Sequence, residues 1–576
     1  MLLQRLADYA DQMEELPPPM YQPTAVRYII RLTEEGRPLG APIDTADRAN
    51  RATEKGVRRF VPAAKRTSGI EPMLLADKAD YALGFASEGD RPEQITRRHE
   101  SFVDLVRDCA GDTDEPAVRA VERFLDGPDR VALPLPTDFD PTAVVTFQVG
   151  SALPIDLPTV RAFWQQRRLV ADAADSPDLQ CVICGNVRPA LRRHLFKIKG
   201  IPNGQTSGTE LISANERAYE SYGLSNSLIA PTCSACAEKY ANALNTLLRS
   251  ETTHLRVGDL KFAFWTARQV GFDFLELFSN PSQGEVTELL SAVWTGRRAA
   301  TEIDAAEFYA LALSASGARA VVRSWITTTV EQARRRLARY FALQELIHAD
   351  GTPSTPASLR YLTDGTIRFG GKEQPPPVIA ESLVALALNG TPLPMAVLFH
   401  AVRRCRAEQK VTRQRAMLIK MVFASHDFRD GRSDTMRGLD ESNENPAYVC
   451  GRLLAILDSI QYYSLGRPNA TLVDKFYGTA SSAPASVFGT LLHNTQHHLA
   501  KLRKKGEGIA LEKRLTQALG LLKEFPRTLT LPEQGQFAIG YYHQRAFNMS
   551  GGTAGSESQL APDASASESD ESMSDV

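Results

Sequence analysis

Two short cysteine pairs constrain this chain more than any other feature. Cys181-Val-Ile-Cys184 and Cys233-Ser-Ala-Cys236 each put two thiols on one tight turn. Two such turns can close a tetrahedral four-sulfur site, so Cys181, Cys184, Cys233 and Cys236 read as ligands of a structural zinc. The competing reading is four unrelated buried cysteines flanking a surface turn. The 48 residues between Cys184 and Cys233 exceed the usual ribbon loop, so the metal would pin the base of a large insertion. That insertion is rich in Gly, Ser, Thr and Asn and carries Lys197 and Lys199. Its backbone and hydroxyls suit phosphates or base edges. The other cysteines, Cys109, Cys405 and Cys450, are isolated, and a total of seven argues against a disulfide framework.

A chain of 576 residues is too long for one core and predicts three or four domains. With 43% hydrophobic and 23% charged residues it has an ordinary globular composition. No run of 18 apolar residues is present, so no membrane partner is expected. The first ten residues make an amphipathic helix rather than a signal peptide, and the expected location is cytoplasmic. Net charge is −2, yet residues 549–576 hold six acidic residues and no basic one. Without them the balance is 66 basic against 62 acidic, or +4. That weakly favours a nucleic-acid partner.

Periodicity divides the chain into an α+β part and a helical part. Residues 24–32, 143–149 and 260–266 alternate as strands, and 308–313 with 318–325 make a hairpin. Helical spacing runs through 100–108, 115–125, a stretch after Pro158 with Phe163, Trp164 and Leu169 inward, and 237–248. From about Pro376 only helices are predicted, in a bundle. The expected fold class is therefore α+β: a mixed α/β N-terminal region with a zinc-knuckle-like insertion, then an all-helical C-terminal bundle. The expected domains are 1–180, 181–250, 251–375 and 376–548, followed by a disordered acidic tail over 549–576.

Three stretches carry nucleic-acid chemistry. Residues 47–80 read as a charged surface arm with Arg58, Arg59, Lys65 and Arg66, either solvated or touching DNA. In the insertion, Lys197, Lys199, Asn203, Gln205, Thr206 and Ser207 can donate to phosphates or read base edges. On the second hairpin strand Arg319, Arg323 and Trp325 share a face suited to RNA or single-stranded DNA, or to a covering helix. His493, His497 and a following run of Lys and Arg make one helix basic. No phosphate-binding loop, nucleophile elbow or dinucleotide fingerprint is present, so no enzyme is predicted.

Several landmarks together resemble the Csd family, the large subunit of the type I-C CRISPR Cascade surveillance complex. They are Arg66-Thr-Ser-Gly-Ile70, His194-Leu-Phe-Lys-Ile-Lys-Gly-Ile, Gly204-Gln-Thr-Ser-Gly, Leu211-Ile-Ser-Ala-Asn-Glu, Glu220-Ser-Tyr-Gly, Gly451-Arg-Leu-Leu and Gly540-Tyr-Tyr-His-Gln-Arg545. The resemblance implies a non-catalytic subunit that partners a CRISPR guide RNA, target double-stranded DNA, other Cascade subunits and a recruited helicase-nuclease. It implies recognition of a motif flanking the target and help in opening the duplex. It also implies a small subunit translated from within the same gene, with Met436 as the candidate start of a small-subunit-like segment. The second cysteine pair departs from many relatives, which makes any metal structural. A rival reading is a zinc-clamped HNH-like nuclease with His194 and Asn203 as catalytic residues. It lacks a second histidine after His194 or Cys236, and so a ligand for a catalytic metal.

Overall fold

The computed structural model describes residues 1–13, 16–47, 49, 53–64, 69–85, 91–174, 176–214, 216–268, 274–295, 305–347, 352–429, 436–466, 470–505 and 508–550. Lys65, Arg66 and all but the first two residues of the acidic tail lie outside them. The chain forms two units. One is Met1–His254 with Leu313–Val322; the other is Leu255–Ala312 with Arg323–Val576. A mixed α/β N-terminal region is followed by a helical C-terminal part, as the periodicity predicts.

The first unit runs α1 (Leu2–Ala10), β1 (Tyr21–Leu32), β2 (Ile43–Asp44), β3 (Val57–Pro62), β4 (Ala76–Lys78), α2 (Ala79–Ala82), α3 (Pro92–Thr113) and α4 (Pro116–Asp126). It continues with β5 (Val144–Val149), α5 (Pro158–Ala174), β6 (Asp178–Gln180), β7 (Val187–Pro189) and α6 (Ser234–Leu247). Its sheet has the order β2-β1-β5-β4, with β3 also pairing β1. β1 runs parallel to β5 and antiparallel to β3. Val26, Tyr28, Ile30 and Leu32 alternate along β1 and are all buried, the period-2 signature of a strand with one face in the core. Proline opens both α3 and α4, where its missing N–H costs nothing. Phe102 and Phe124 from these helices meet Phe147 of β5 at ring-centroid distances of 6.4 and 6.1 Å.

Two local expectations change. The stretch 47–80, read as a surface arm, contains β3 and β4. Charge obscured the strands, and pairing of β3 with β1 supplies what the local pattern lacked. Leu169, expected to face inward on α5, is exposed, whereas Trp164 is buried and donates from Nε1 to the Met20 carbonyl at 3.1 Å.

Elements of the rest of the chain are β8 (His254–Val257), β9 (Leu260–Thr266), α7 (Phe274–Ser279), α8 (Gln283–Thr295), β10 (Glu307–Ser316), β11 (Arg319–Thr329), α9 (Val330–Gln344) and α10 (Leu359–Asp364). The helices α11 (Pro377–Asn389), α12 (Met395–Glu408), α13 (Arg413–Arg429), α14 (Pro446–Leu465), α15 (Leu472–Ala480), α16 (Phe488–Lys504), α17 (Ile509–Gly520) and α18 (Leu531–Ser550) follow. The second sheet has the order β11-β10-β9-β8. Phe264 and Phe308 on its inner face join one hydrophobic core that reaches Tyr541. α14 packs most extensively on α18. Among the described residues, no helix is long and apolar enough to cross a membrane.

Candidate metal centre and anion-binding corner

The first cysteine pair sits at the turn of the β6–β7 hairpin. Gly185, with φ +75°, donates its N–H to the Cys181 carbonyl at 2.9 Å and closes the knuckle. Val182 N–H donates to the Pro231 carbonyl at 2.8 Å, which draws in the second pair. Cys233 caps the N-terminus of α6, and Cys236 lies in its first turn. The four ligand sulfurs lie within 4.8 Å of one another, three of the cysteines buried and Cys184 exposed. Zinc–sulfur bonds of about 2.3 Å need sulfurs about 3.8 Å apart, so small side-chain shifts would seat the ion. All four are free thiols. Sulfur–sulfur hydrogen bonding within the cluster, led by Cys236, lowers the Cys233 thiol, so the cluster already favours a thiolate there. The donor set thus fits zinc, whose ligands must be thiolates.

Helix α6 carries the consequences of that clamp along its length. Glu238 is buried, accepts from the Met20 N–H at 2.9 Å, and is pushed up to about 8 by burial. Two residues on, the Tyr240 hydroxyl meets His194 Nδ1 at 2.5 Å. Asn245 then holds the insertion: its Oδ1 accepts from Lys199 N–H at 2.8 Å and its Nδ2 donates to the Lys197 carbonyl at 2.9 Å. Arg249 follows just beyond the helix end.

The arm and the insertion meet electrostatically beside that end. Burial lowers the Lys199 ammonium pKa, and Arg58 and Arg249 lower it further. Burial and Arg58 likewise lower Arg249. Among the described residues none of these three cations has a carboxylate partner. Three mutually repelling cations from β3, the insertion and the end of α6 make a corner that an anion would relieve. Arg59, next along β3, keeps a buried Nε with no acceptor among the described residues. Arg58 and Lys199 were legible as candidates; Arg249 and Asn245 were not. Their i, i+4 spacing at a helix end was the available signal.

The insertion itself closes as a loop. Ile198 and Thr209 exchange backbone hydrogen bonds of 2.8 and 2.7 Å, and Asn203, Gln205, Thr206 and Ser207 lie exposed at its tip. Gly208 has φ +100°, and a Cβ there would stand 2.7 Å from the Lys197 Cβ, so the closure requires glycine.

The hairpin residues are placed differently. In the first unit, the Arg319 guanidinium lies 4.0 Å over the Tyr219 ring. In the second, Trp325 stacks on Tyr309 at 5.5 Å and lies 5.4 Å from Trp265, a cluster across three neighbouring strands. Arg323 is exposed on β11. The rings of His493 and His497 stand 6.1 Å apart on the exposed side of α16.

His194 bears on the nuclease alternative. It is 2% exposed and held against Tyr240, inside the fold rather than facing solvent where a phosphodiester and hydrated metal would sit. Asn203, its proposed companion, is on the exposed loop tip.

A family model described as CRISPR-associated protein (Cas_Csd1) matches residues 3–548. No curated protein matches the chain.

Proposed function

We propose a role from the premise that this chain belongs to the Cas_Csd1 family of CRISPR-associated proteins: it is the non-catalytic large subunit of a type I-C surveillance complex. In that role it binds duplex DNA beside the guide-matched segment, reads a short flanking motif, helps the strands open, and recruits a helicase-nuclease that cuts. Its partners are then a guide RNA, target DNA and the other Cascade subunits. Pairing to the guide supplies most of the sequence discrimination, as in other RNA-guided systems.

The observation that carries the reading is the convergence of Arg58, Lys199 and Arg249, without a carboxylate partner among the described residues, at the base of a loop whose exposed tip carries amides and hydroxyls. Cations of this kind position a phosphate backbone, and Asn and Gln side chains reach adenine edges. Zinc at the four cysteines would fix the hairpin to α6 and so fix the loop that Asn245 holds.

The test uses the assembled complex with its guide. Arg58→Gln, Lys199→Gln and Arg249→Gln should each weaken binding to all flanking sequences alike and reduce the salt slope by about 1. Asn203→Ala or Gln205→Ala should instead change the ranking of flanking motifs, by ~1–3 kcal/mol for a good contact. Unchanged binding by the triple cation variant would sink the reading.

A further inference from the structure

The last turn of α18 packs against α17, whose N-terminal end pairs with the lysine-bearing end of α16. Arg514 of α17 donates to Asn548 Oδ1 at 3.3 Å, and its guanidinium lies 4.8 Å over the Phe547 ring. Lys513 stands beside Arg514 in sequence and is exposed. An Arg503–Glu512 ion pair ties the end of α16 to the start of α17. Lys501, Lys504 and Lys505 flank that pair and are exposed. Among the described residues, Lys501, Lys504, Lys505 and Lys513 have no carboxylate partner. The basic surface is thus anchored to the helix from which residues 551–576 continue. Those 26 residues carry Glu557, Asp563, Glu568, Asp570, Glu571 and Asp575, and no Lys or Arg.

We propose that the segment 551–576 docks on the basic end of α16 and α17 and holds that surface until a stronger polyanion displaces it. Charge complementarity and point of attachment select this occupant over another. Six carboxylates face four unpaired ammonium groups, with no cation of their own to neutralise them. The disorder that composition leads one to expect of these 26 residues corresponds to a span of roughly 28 Å, several helical turns. Tethering gives it an effective concentration on the order of millimolar, so weak exposed pairs suffice. The contact is salt-sensitive, because exposed charges are screened beyond about 8 Å at physiological ionic strength. Docking stands apart from the functional reading above. Only its consequence, competition with nucleic acid, rests on that reading.

The experiment keeps the full chain. In one variant the tail is neutralised by Glu557→Gln, Asp563→Asn, Glu568→Gln, Asp570→Asn, Glu571→Gln and Asp575→Asn. Carbodiimide cross-linking at about 50 mM salt, read by mass spectrometry, should join tail carboxylates to Lys501, Lys504, Lys505 or Lys513. The joins should vanish at about 500 mM salt and in the neutralised chain. No joins, or joins spread over lysines elsewhere, would overturn the docking. An oligothymidylate of about 20 nucleotides then probes the competition. Neutralising the tail should tighten its binding on the order of five-fold. Adding Lys501→Gln, Lys504→Gln, Lys505→Gln and Lys513→Gln should abolish that gain. Loss of binding in the lysine variant whatever the tail's charge, without cross-links, would assign the surface to nucleic acid alone and overturn the proposal. Cross-links without any gain would support the docking and overturn the competition with a polyanion.

Discussion

Gly451 and Gly540 meet at one crossing of α14 and α18, each against the backbone of the other helix. A Cβ on Gly451 would stand 2.0 Å from the Phe537 carbonyl oxygen, and one on Gly540 would stand 2.1 Å from that of Tyr448. Neither obstacle is a side chain that can turn away. Gly451→Ala should therefore force the helices apart and cost about 3 kcal/mol or more, although alanine is the better helix former. Gly489→Ala on α16, where nothing lies within 4 Å, should be neutral or stabilising. Chemical denaturation of both variants checks this; equal stabilities would show that the crossing is not tight.

Elemental analysis should find one zinc per chain. Chelation or Cys236→Ser should remove it and speed amide exchange over residues 181–209, while exchange in α14 and α18 stays as it was. Retention of all loop protection in metal-free protein would separate the cysteines from the loop.

Asn245→Ala should remove two hydrogen bonds that hold the insertion, worth about 1 kcal/mol each. Its overall stability should fall little. Its DNA binding should fall as far as that of Lys199→Gln, because the cation loses its place rather than its charge. Full binding by the Asn245 variant would mean that the loop is held elsewhere.

The bundle should lose stability in mild acid through His543. This side chain is buried with Nδ1 3.1 Å from the Tyr448 hydroxyl, and burial, aided by Lys420, lowers it from 6.5 to about 4. The unfolded chain takes up this proton near 6.5 and the folded one only near 4. The contribution is thus complete above 6.5 and is lost as pH falls through about 4. Its size is at most about 3 kcal/mol. His543→Gln should lose less stability than the parent between neutral pH and about 4, measured by urea denaturation; parallel curves would remove His543 from the account.

What was legible depended on whether the determinant was local. β9 and the helices of the bundle follow the period of their own apolar residues, such as Leu453, Leu457 and Ile460 on α14. The cysteines were legible because metal chemistry dictates spacing within each pair. β3 was not, since Arg58 and Arg59 interrupt its pattern and β1 completes it. Arg249 was also hidden: its importance comes from Arg58, 191 positions earlier in the chain.

The placement of Arg58 and Arg59 on β3 has another consequence. Among the described residues β3 pairs only with β1, which makes it an edge strand there, with the Val57 N–H already taken by the Thr45 hydroxyl. Such edges recruit strands from other molecules, and charged side chains and a terminal proline, here Pro62, discourage this. The same two guanidinium groups that suit a phosphate thus guard against self-association. Removing both charges exposes a template for aggregation. Lysine at these positions keeps that protection while giving up the planar fork of arginine, and so separates lost recognition from lost colloidal stability.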